Sequence, residues 1–499
     1  MAIGTRIHSL NTKHQALNTN PTPNSGDKHM RKTKIICTLG PACMNEATLT
    51  AMCKAGMNVA RLNFSHGDHE EQTRKVTLVK TVREKLNLPI AIMLDTKGPE
   101  YRIKTFANHK IYLNEGDKFT FTTDDVEGDQ TRVSVTYKRL AEELHPGDVV
   151  MVCNGLVQLV VDNIEGNNVN CTVTAGGEVS DRKSMNFPNK ILQHDYLSET
   201  DKADLLFGIE NDVDFVAASF VSTKADAQAL RDFLDANGGA DISIIAKIEN
   251  RAGVDNIDEI CEVADGIMVA RGDLGVEIPF IEVPSVQKQL INRCRLLGKR
   301  VITATEMLES MIHNVRPTRA EISDVANAVY DGSSAIMLSG ETAAGKYPVE
   351  SVKYMSEIAE YTENQIDYSA WFRKTDYKIK NTLDAISHSC CSMSMDVGAK
   401  CIVVNSLSGR TVRMVSRFRS PADIIGITTE RKAWRQLGMS WGVIPVLSEE
   451  YSSLDIVFYQ ALSKAKKILS LEKGDLVVMT GGMINGKTGN TNTIKVETV

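Results

Sequence analysis

The chain has 499 residues, of which 42% are hydrophobic and 24% are charged, and its formal net charge is −6. This length corresponds to about three to four domains, and the composition argues against a disordered, collagen-like or coiled-coil protein. The acidic balance, without a dense Lys/Arg block, argues against a nucleic-acid partner but is compatible with a small anionic substrate.

Residues 1–30 are predicted to form a flexible N-terminal tail, because they lack the apolar core of a signal peptide. No run reaches ~18 consecutive apolar residues, the length of a membrane span, so we expect no membrane insertion. The ten cysteines are scattered without metal-binding spacing. They are expected to be free thiols, as in a cytoplasmic protein.

Eight short apolar runs follow the tail and are separated by segments of helix length. Their near-continuous apolar character is typical of strands buried on both faces. The runs cover residues 35–40, 58–65, 89–96, 214–220, 243–249, 266–273, 300–307 and 335–342. Alternating β and α units of this number predict an α/β fold with a (β/α)8 TIM barrel, formed by residues 31–98 and 186–363.

Two further domains are predicted. Residues 99–185 show period-two alternation with turn signals such as NEGD and HPGD, which predicts an inserted all-β domain, a small β-barrel. Its insertion at the active-site end indicates a lid, and a purely structural role is the alternative. Residues 364–499 contain four more strand-like runs alternating with helices, which predicts a C-terminal α/β regulatory domain with a mixed or parallel sheet.

Nearly all eight runs end in polar or charged residues, and in a TIM barrel this end is the active-site face. Lys247 and Glu249 are two residues apart and share one strand face, and Asp273 follows a glycine at the end of the next run. Two carboxylates at one cavity suit a hard divalent cation, and the lysine suits a phosphoryl group in transfer. A structural ion-pair cluster on the rim is the alternative.

A second group lies on the neighbouring strands. Arg61, Asn63 and Ser65 alternate along one run, and Asp95 and Thr96 end the next. Neutral oxygens with one carboxylate resemble a monovalent-cation site, and Arg61 is suited to bind phosphate. A hydrogen-bonded rim is the alternative.

One glycine and one hydroxyl residue extend these groups. Gly272 allows close approach of a ligand carboxylate, and Thr305 adds a hydroxyl from the following strand, which together suit a small phosphorylated acid. His66 is assigned a nucleotide contact, against the commoner case of a solvated histidine.

In the C-terminal domain, the segment NSLSGRT predicts a phosphate-binding loop of an effector site, with an ordinary helix cap as the alternative. The residues of this loop are Ser406, Ser408, Gly409 and Thr411.

The sequence resembles the pyruvate kinase family over nearly its whole length, from KIICTLGPA at 34–42 to TNTIKV at 491–496. The segments RLNFSHG, LDTKGPE, AKIEN, ARGDLGVE and ATEMLESM occur in the family order. The resemblance implies conversion of phosphoenolpyruvate and ADP to pyruvate and ATP, the last step of glycolysis. It also implies Mg²⁺ or Mn²⁺ and K⁺ as cofactors, a homotetramer, and a sugar-phosphate or AMP effector at NSLSGRT.

The resemblance also implies a role for each matching residue. Arg61 binds the phosphate of phosphoenolpyruvate, and Lys247 stabilises the phosphoryl group in transfer. Glu249 and Asp273 hold the divalent cation. The K⁺ ligands are Asn63, Ser65, Asp95 and Thr96; the carboxylate pocket is Gly272, Asp273 and Thr305, with Thr305 near the methylene to be protonated; the nucleotide contacts are Asn63, His66, Arg102 and Lys183.

Some positions qualify this assignment. Glu100 matches the acidic residue of K⁺-dependent members, so we expect dependence on a monovalent cation. Glu306, Glu71 and the YRIK segment after GPE depart from the family pattern near the nucleotide. A lyase or mutase acting on phosphoenolpyruvate or a keto acid is an alternative, as is an inactive regulatory relative. The latter would be expected to lack Lys247, Glu249 or Asp273.

Overall fold

The computed structural model describes residues 30–99, 101–190, 192, 195–451, 453–482 and 491–499. The predicted tail up to residue 29, Glu100 and most of a glycine-rich segment at 481–492 therefore lie outside the described residues. Within the described ranges, no helix combines the length and the apolar character that a membrane crossing requires.

Strands and helices alternate in the first part of the chain. These elements are β1 (Lys34–Thr38), α1 (Glu46–Ala55), β2 (Val59–Asn63), α2 (His69–Leu86) and β3 (Ala91–Asp95). A polar side chain sets the start of each helix, because Asn45 accepts the N–H of Thr48 and Asp68 accepts that of Glu71. Helix α2 ends at Asn87, whose left-handed backbone (φ 50°) stops the helix.

An inserted domain follows β3. Its elements are β4 (Lys110–Leu113), β5 (Lys118–Thr122), β6 (Arg132–Ser134), α3 (Leu140–Glu143), β7 (Val149–Val152), β8 (Val157–Glu165), β9 (Asn168–Ala175), β10 (Gly177–Ser180) and β11 (Met185–Asn186). Six strands form a sheet in the order β11-β7-β8-β9-β5-β6, and β4 pairs with β10. In the described residues the inserted domain is therefore rich in β-sheet, as predicted, with its strands in two sheets.

The chain then returns to alternating helices and parallel strands. These elements are α4 (Glu199–Glu210), β12 (Phe215–Ala218), α5 (Lys224–Ala236), β13 (Ser243–Ile248), α6 (Arg251–Asp255), α7 (Ile257–Val263), β14 (Gly266–Ala270), α8 (Arg271–Glu277), α9 (Val283–Leu297), β15 (Arg300–Ala304), α10 (Arg319–Asp331), β16 (Ala335–Leu338), α11 (Gly340–Ala343) and α12 (Pro348–Glu363).

Eight parallel strands close into a barrel in the order β1-β16-β15-β14-β13-β12-β3-β2, which confirms the predicted (β/α)8 architecture. Successive residues of a strand face opposite sides. In β1, Ile36 packs inside the barrel with Met93 and Phe215, whereas Ile35 and Cys37 join the layer between strands and helices. The filled interior leaves the carboxyl ends of the strands as the face available for binding.

The C-terminal domain is a mixed α/β layer. Its elements are α13 (Tyr368–Lys374), α14 (Thr382–Asp396), β17 (Cys401–Asn405), α15 (Arg410–Ser416), β18 (Asp423–Thr428), α16 (Arg431–Leu437), β19 (Val443–Leu447), α17 (Leu454–Leu469), β20 (Leu476–Gly482) and β21 (Thr491–Thr498). The strand order is β19-β18-β17-β20-β21, with β21 antiparallel. The four predicted strands are confirmed, and β21 is an addition whose polar, half-exposed sequence resembles a loop.

This domain packs against the amino end of the barrel. Met439 is fully buried and joins the cluster inside the barrel that contains Phe215. Arg435 Nε donates to Asp214 Oδ1 at 2.6 Å, immediately before β12 begins. The C-terminal domain therefore does not cover the carboxyl ends of the strands, and the inserted domain lies at that end.

Candidate active site

Asp95 lies at the centre of a buried cluster at the carboxyl ends of the strands. Its Oδ2 accepts a 2.6 Å hydrogen bond from Arg61 Nε, and its Oδ1 lies 3.2 Å from Lys247 Nζ. Burial disfavours the charged carboxylate, but Arg61 and Lys247 outweigh it and hold the pKa of Asp95 below its usual value. Asp95 therefore carries a stable negative charge between two cations.

Lys247 is positioned by three strand ends. Besides Asp95, its Nζ donates to Ser219 Oγ at 2.7 Å and lies 3.0 Å from Glu249 Oε1. Burial alone would lower the pKa of Lys247, yet the attraction of Asp95 and Glu249 raises it well above its ordinary value. The lysine thus stays protonated in a nearly dry site.

Glu249 is 1% exposed and only partly neutralised. Its Oε2 accepts the N–H of Phe220 at 2.5 Å, whereas its Oε1 accepts no well-directed hydrogen bond despite the nearby Lys247. Burial raises the pKa of Glu249 to about 7, and the carboxylate of Asp273 adds to this effect against the attraction of Lys247. A buried oxygen with unused lone pairs beside a second carboxylate fits a cation.

The donor set indicates which cation this is. Within the described residues, no group of three or more His, Cys, Asp or Glu side chains forms a complete metal site. Glu249 and Asp273 supply two hard oxygen ligands, which suits Mg²⁺ or Mn²⁺ sharing its remaining positions with substrate oxygens and water. The residues present therefore fit a divalent cation that binds together with substrate.

The second predicted cation group gathers where β2 and β3 end. Asn63 stands opposite Asp95 in the strand register, and its Oδ1 accepts the N–H of Ser65 at 3.0 Å. Thr96 Oγ1 accepts the N–H of Ser219 at 3.1 Å, and Ser219 Oγ donates to Thr96 O at 2.7 Å. Uncharged oxygens around one carboxylate are compatible with K⁺.

Thr305 and Gly272 are brought together from adjacent strands. The N–H of Gly272 donates to Thr305 Oγ1 at 2.8 Å. Thr305 has a φ of 68° and Glu306 a φ of 53°, conformations that are unusual for these residue types. Arg271 holds this turn, because its Nη2 donates to Thr305 O at 2.6 Å and its Nη1 to Asp324 at 2.7 Å.

A cleft of about 410 Å³ separates the inserted domain from the barrel. Arg102 lines it from the inserted domain, and Gly272, Asp273 and Glu306 line it from the barrel. Asn186 Nδ2 joins the two sides by donating to Glu277 Oε1 at 2.9 Å. Arg102, predicted for the nucleotide, and Asp273, predicted for the divalent cation, therefore line the same cleft.

Two other predicted nucleotide residues make no contact with the Asp95 cluster in the part of the chain that the structure describes. Lys183 and His66 are exposed, and within the described structure neither forms a hydrogen bond or ion pair with the side chains of the Asp95 cluster. The Lys183 carbonyl accepts the N–H of Ile103. Of the departures from the family pattern, Glu71 pairs with Lys75, and Glu100 lies outside the described residues.

The NSLSGRT loop lies between β17 and α15, as predicted. Gly409 has a φ of 70°, which favours glycine at the helix start. Ser408 is exposed and Ser406 half-buried. Thr411 is 4% exposed, and its hydroxyl lies 2.7 Å from that of Thr491 at the start of β21. Thr411 thus ties the loop to the neighbouring strand.

Two residues of this site are absent from the predicted set. Ser219 links Lys247, Asp95 and Thr96, although the sequence marks it only as a polar strand end. Arg271 positions Thr305. In the sequence, its place directly before Gly272 at the end of a strand is what could have indicated a role at the site.

Comparison with known proteins identifies the family to which this fold belongs. The family models of the pyruvate kinase barrel domain and the pyruvate kinase alpha/beta domain match residues 30–352 and 384–497. Pyruvate kinases of Clostridium acetobutylicum and Geobacillus stearothermophilus are 48% and 44% identical over 473 and 472 residues, covering 94% of this chain and 100% and 80% of those proteins. A crystal structure of a pyruvate kinase from Cryptosporidium parvum matches with a TM-score of 0.90 at 37% identity, covering 94% of this chain and 96% of that one. With both domains matched at this identity, the chain belongs to the pyruvate kinase family and is a phosphotransferase.

Proposed function

We propose that the Asp95 cluster transfers the phosphoryl group of phosphoenolpyruvate to ADP, giving pyruvate and ATP. The observation that carries this proposal is the arrangement of Arg61 and Lys247, two buried cations held by one carboxylate at the mouth of the barrel. Transfer between two polyanions requires positive charge at the moving group, and such charge acts strongly where water is excluded.

Arg61 and Lys247 have different roles toward the phosphoryl group. Arg61 commits Nε to Asp95 and Nη1 to Thr38, while its Nη2 has no hydrogen-bond partner among the described residues and can bind a phosphate oxygen. Lys247, kept protonated by Asp95 and Glu249, stabilises the group while it moves. Both side chains are immobilised before substrate arrives, so little reorganisation is needed.

The cofactor sites follow from the oxygen ligands. Glu249 and Asp273 would hold Mg²⁺ or Mn²⁺, and Asn63, Ser65, Asp95 and Thr96 would hold K⁺. The bound cations supply positive charge that offsets the charge of the two anionic substrates. The unused Oε1 of Glu249 supports the divalent site.

Thr305 serves the second half of the reaction. Loss of the phosphoryl group leaves the enolate of pyruvate, and a proton added to its C3 gives the ketone, which makes the transfer favourable. Gly272, Asp273 and Thr305 hold the substrate carboxylate, and Thr305 Oγ1 lies near C3. Its hydroxyl now donates to Ala304 O and accepts from Gly272, so bound substrate replaces the second of these bonds.

The inserted domain acts as a lid over ADP. Arg102 faces the cleft, and Lys183, Asn63 and His66 would complete the nucleotide contacts as the domain closes. A homotetramer, a cytoplasmic location and a sugar-phosphate or AMP effector at NSLSGRT complete the proposal by family resemblance.

A coupled assay tests the reaction. Pyruvate formation is measured with phosphoenolpyruvate, ADP, Mg²⁺ and K⁺, for the wild type and for Lys247→Met, with the exposed Lys54→Met as control. We expect pyruvate from the wild type and the control, and a loss of about 10³-fold or more in Lys247→Met. Pyruvate formed without ADP, or none under any condition, would overturn the proposal.

A further inference from the structure

A cavity of about 820 Å³ lies between the barrel and the C-terminal domain. Its walls are the end of α9, helix α13 with the residues after it, the start of α14, and α15. Asp265 and Lys299 also line it, and they lie immediately before β14 and β15. The cavity is therefore at the amino ends of the strands, on the side opposite the Asp95 cluster.

The lining of this cavity is strongly cationic. Nine lysine and arginine residues line it against three aspartates. Two of the aspartates are already paired, Asp376 with Lys378 at 2.8 Å and Asp384 with Arg417 at 3.4 Å. Six of the nine cationic residues form no ion pair within the described structure, and four of these also form no side-chain hydrogen bond there, namely Lys374, Lys380, Arg410 and Arg413. The cavity thus keeps an excess of positive charge that the protein does not neutralise.

Two arginines on one face of α15 carry the most deeply enclosed of these positive charges. Arg413 and Arg417 are four residues apart, so both side chains project from the same side of the helix. Arg417 is 6% exposed, and its Nε and Nη2 have no hydrogen-bond partner in the described structure. Burial lowers the pKa of Arg413. Although Arg417 Nη1 lies 3.4 Å from Asp384, desolvated guanidinium nitrogens without partners are costly, and a bound anion offsets that cost.

The part of the lining formed by α9 and α13 offers an apolar surface. The guanidinium of Arg295 stacks on Trp371, 4.6 Å from the ring centre, and Trp371 lines the cavity. Lys374, three residues beyond Trp371, adds an exposed charge at the same wall. A ligand with both an organic part and anionic groups matches this combination.

We propose that this cavity binds a small organic phosphate, with its phosphate groups between Arg413 and Lys374 and its organic part against Trp371. Guanidinium groups pair with phosphate oxygens in a planar fork, and the excess of positive charge in the lining favours a multiply charged phosphate over a singly charged carboxylate. The site goes beyond the proposed reaction, because the active site lies at the other end of the barrel. An occupant would join α9 to α15 and thus the barrel to the C-terminal domain.

Titration calorimetry with pyrophosphate in metal-free buffer tests the site on the full-length protein. The variants are Arg413→Gln/Lys374→Gln, which removes one charge from each wall, and Lys374→Gln alone, an exposed position that leaves folding intact. The control is Lys466→Gln/Lys467→Gln, which removes the same charge from exposed positions on α17. Melting temperatures with and without pyrophosphate provide a second measurement.

We expect the double cavity variant to bind pyrophosphate about tenfold or more weakly than wild type, because two charged hydrogen-bonding groups are lost. Lys374→Gln alone should weaken binding by roughly two- to fivefold, as expected for an exposed ion pair. The control should match wild type in affinity and in the rise of melting temperature. Equal affinity in all four proteins, or no binding to wild type, would overturn the proposal.

Discussion

Asp95 Oδ2 accepts a 2.6 Å hydrogen bond from Arg61 Nε, and this pair is almost completely buried. The other oxygen of the same carboxylate lies 3.2 Å from Lys247 Nζ. One anion on β3 thus positions the cations of β2 and β13, and solvent screens these attractions only weakly. Asp95 is therefore an anchor for both side chains that we propose to bind the phosphoryl group, in addition to its proposed K⁺ contact.

Replacing Asp95 should misplace both cations. Asp95→Asn keeps the size of the side chain but removes the charge, so we expect kcat/KM to fall by about 10²-fold or more. Steady-state kinetics measure the effect, and circular dichroism establishes that the fold is retained. The exposed Asp235→Asn is the matched control, and equal kcat/KM values in the two variants would contradict the prediction.

Arg271 should act as a positioning residue for Thr305. Arg271→Lys cannot bridge Thr305 O and Asp324, so the turn at Thr305 should relax and kcat should fall by roughly ten- to hundredfold. The KM for ADP should change little, since Arg271 lies on the Thr305 side of the site. Asp324→Asn, which removes the outer partner, should lower kcat less. A selective rise of the KM for ADP in Arg271→Lys would be inconsistent with this role.

Lys34 should make stability depend on pH. Its buried Nζ donates to Val443 O at 2.8 Å, and burial, with help from Arg31, lowers the pKa of Lys34 to about 7. The unfolded chain has the ordinary higher pKa, so between these two values it binds more protons and the folded state gains stability as pH rises. The free energy of unfolding of wild type minus that of Lys34→Met should therefore increase by ~2–4 kcal/mol from pH 7 to 10.

Urea unfolding followed by circular dichroism at pH 7, 8, 9 and 10 provides this comparison. Lys54→Met, at an exposed position, should show a difference from wild type that does not vary with pH. The same constant difference for Lys34→Met would show that the buried amine does not titrate in this range.

Removal of K⁺ should suppress activity. Asn63, Asp95 and Thr96 supply oxygens where β2 and β3 end. The cationic side chains beside Asp95 are already bound by its carboxylate and do not take the place of K⁺. Replacement of K⁺ by tetramethylammonium at equal ionic strength should lower kcat by about tenfold or more, and K⁺ should restore it. Full activity in K⁺-free buffer would refute the prediction.

Thr411 should couple the effector loop to β21. Thr411→Val keeps the shape but loses the hydrogen bond to Thr491, which costs about 1 kcal/mol and leaves a buried hydroxyl unpaired. Activation by a phosphorylated sugar should then require a higher effector concentration, while activity without effector stays the same. Identical activation curves for wild type and Thr411→Val would argue against the loop as the effector site.

The sequence by itself determined the strands of the barrel and many of the residues proposed for the candidate site. Burial on both faces imposes continuous apolar runs, and the change to polar residues at their ends marks the binding face. Spacing of two along a strand places Lys247 and Glu249 on one side, because strand geometry is local. The four C-terminal strands were predictable for the same reason, whereas the polar β21 was not.

Only the tertiary structure decided which side chains meet. The contacts of Asp95 with Arg61 and Lys247, and of Arg271 with Thr305 and Asp324, join different strands and helices. Such distances depend on strand order and stagger, which periodicity does not encode. The separate sheets of the inserted domain and the cationic cavity at α15 arise in the same way, since each depends on how distant segments pack.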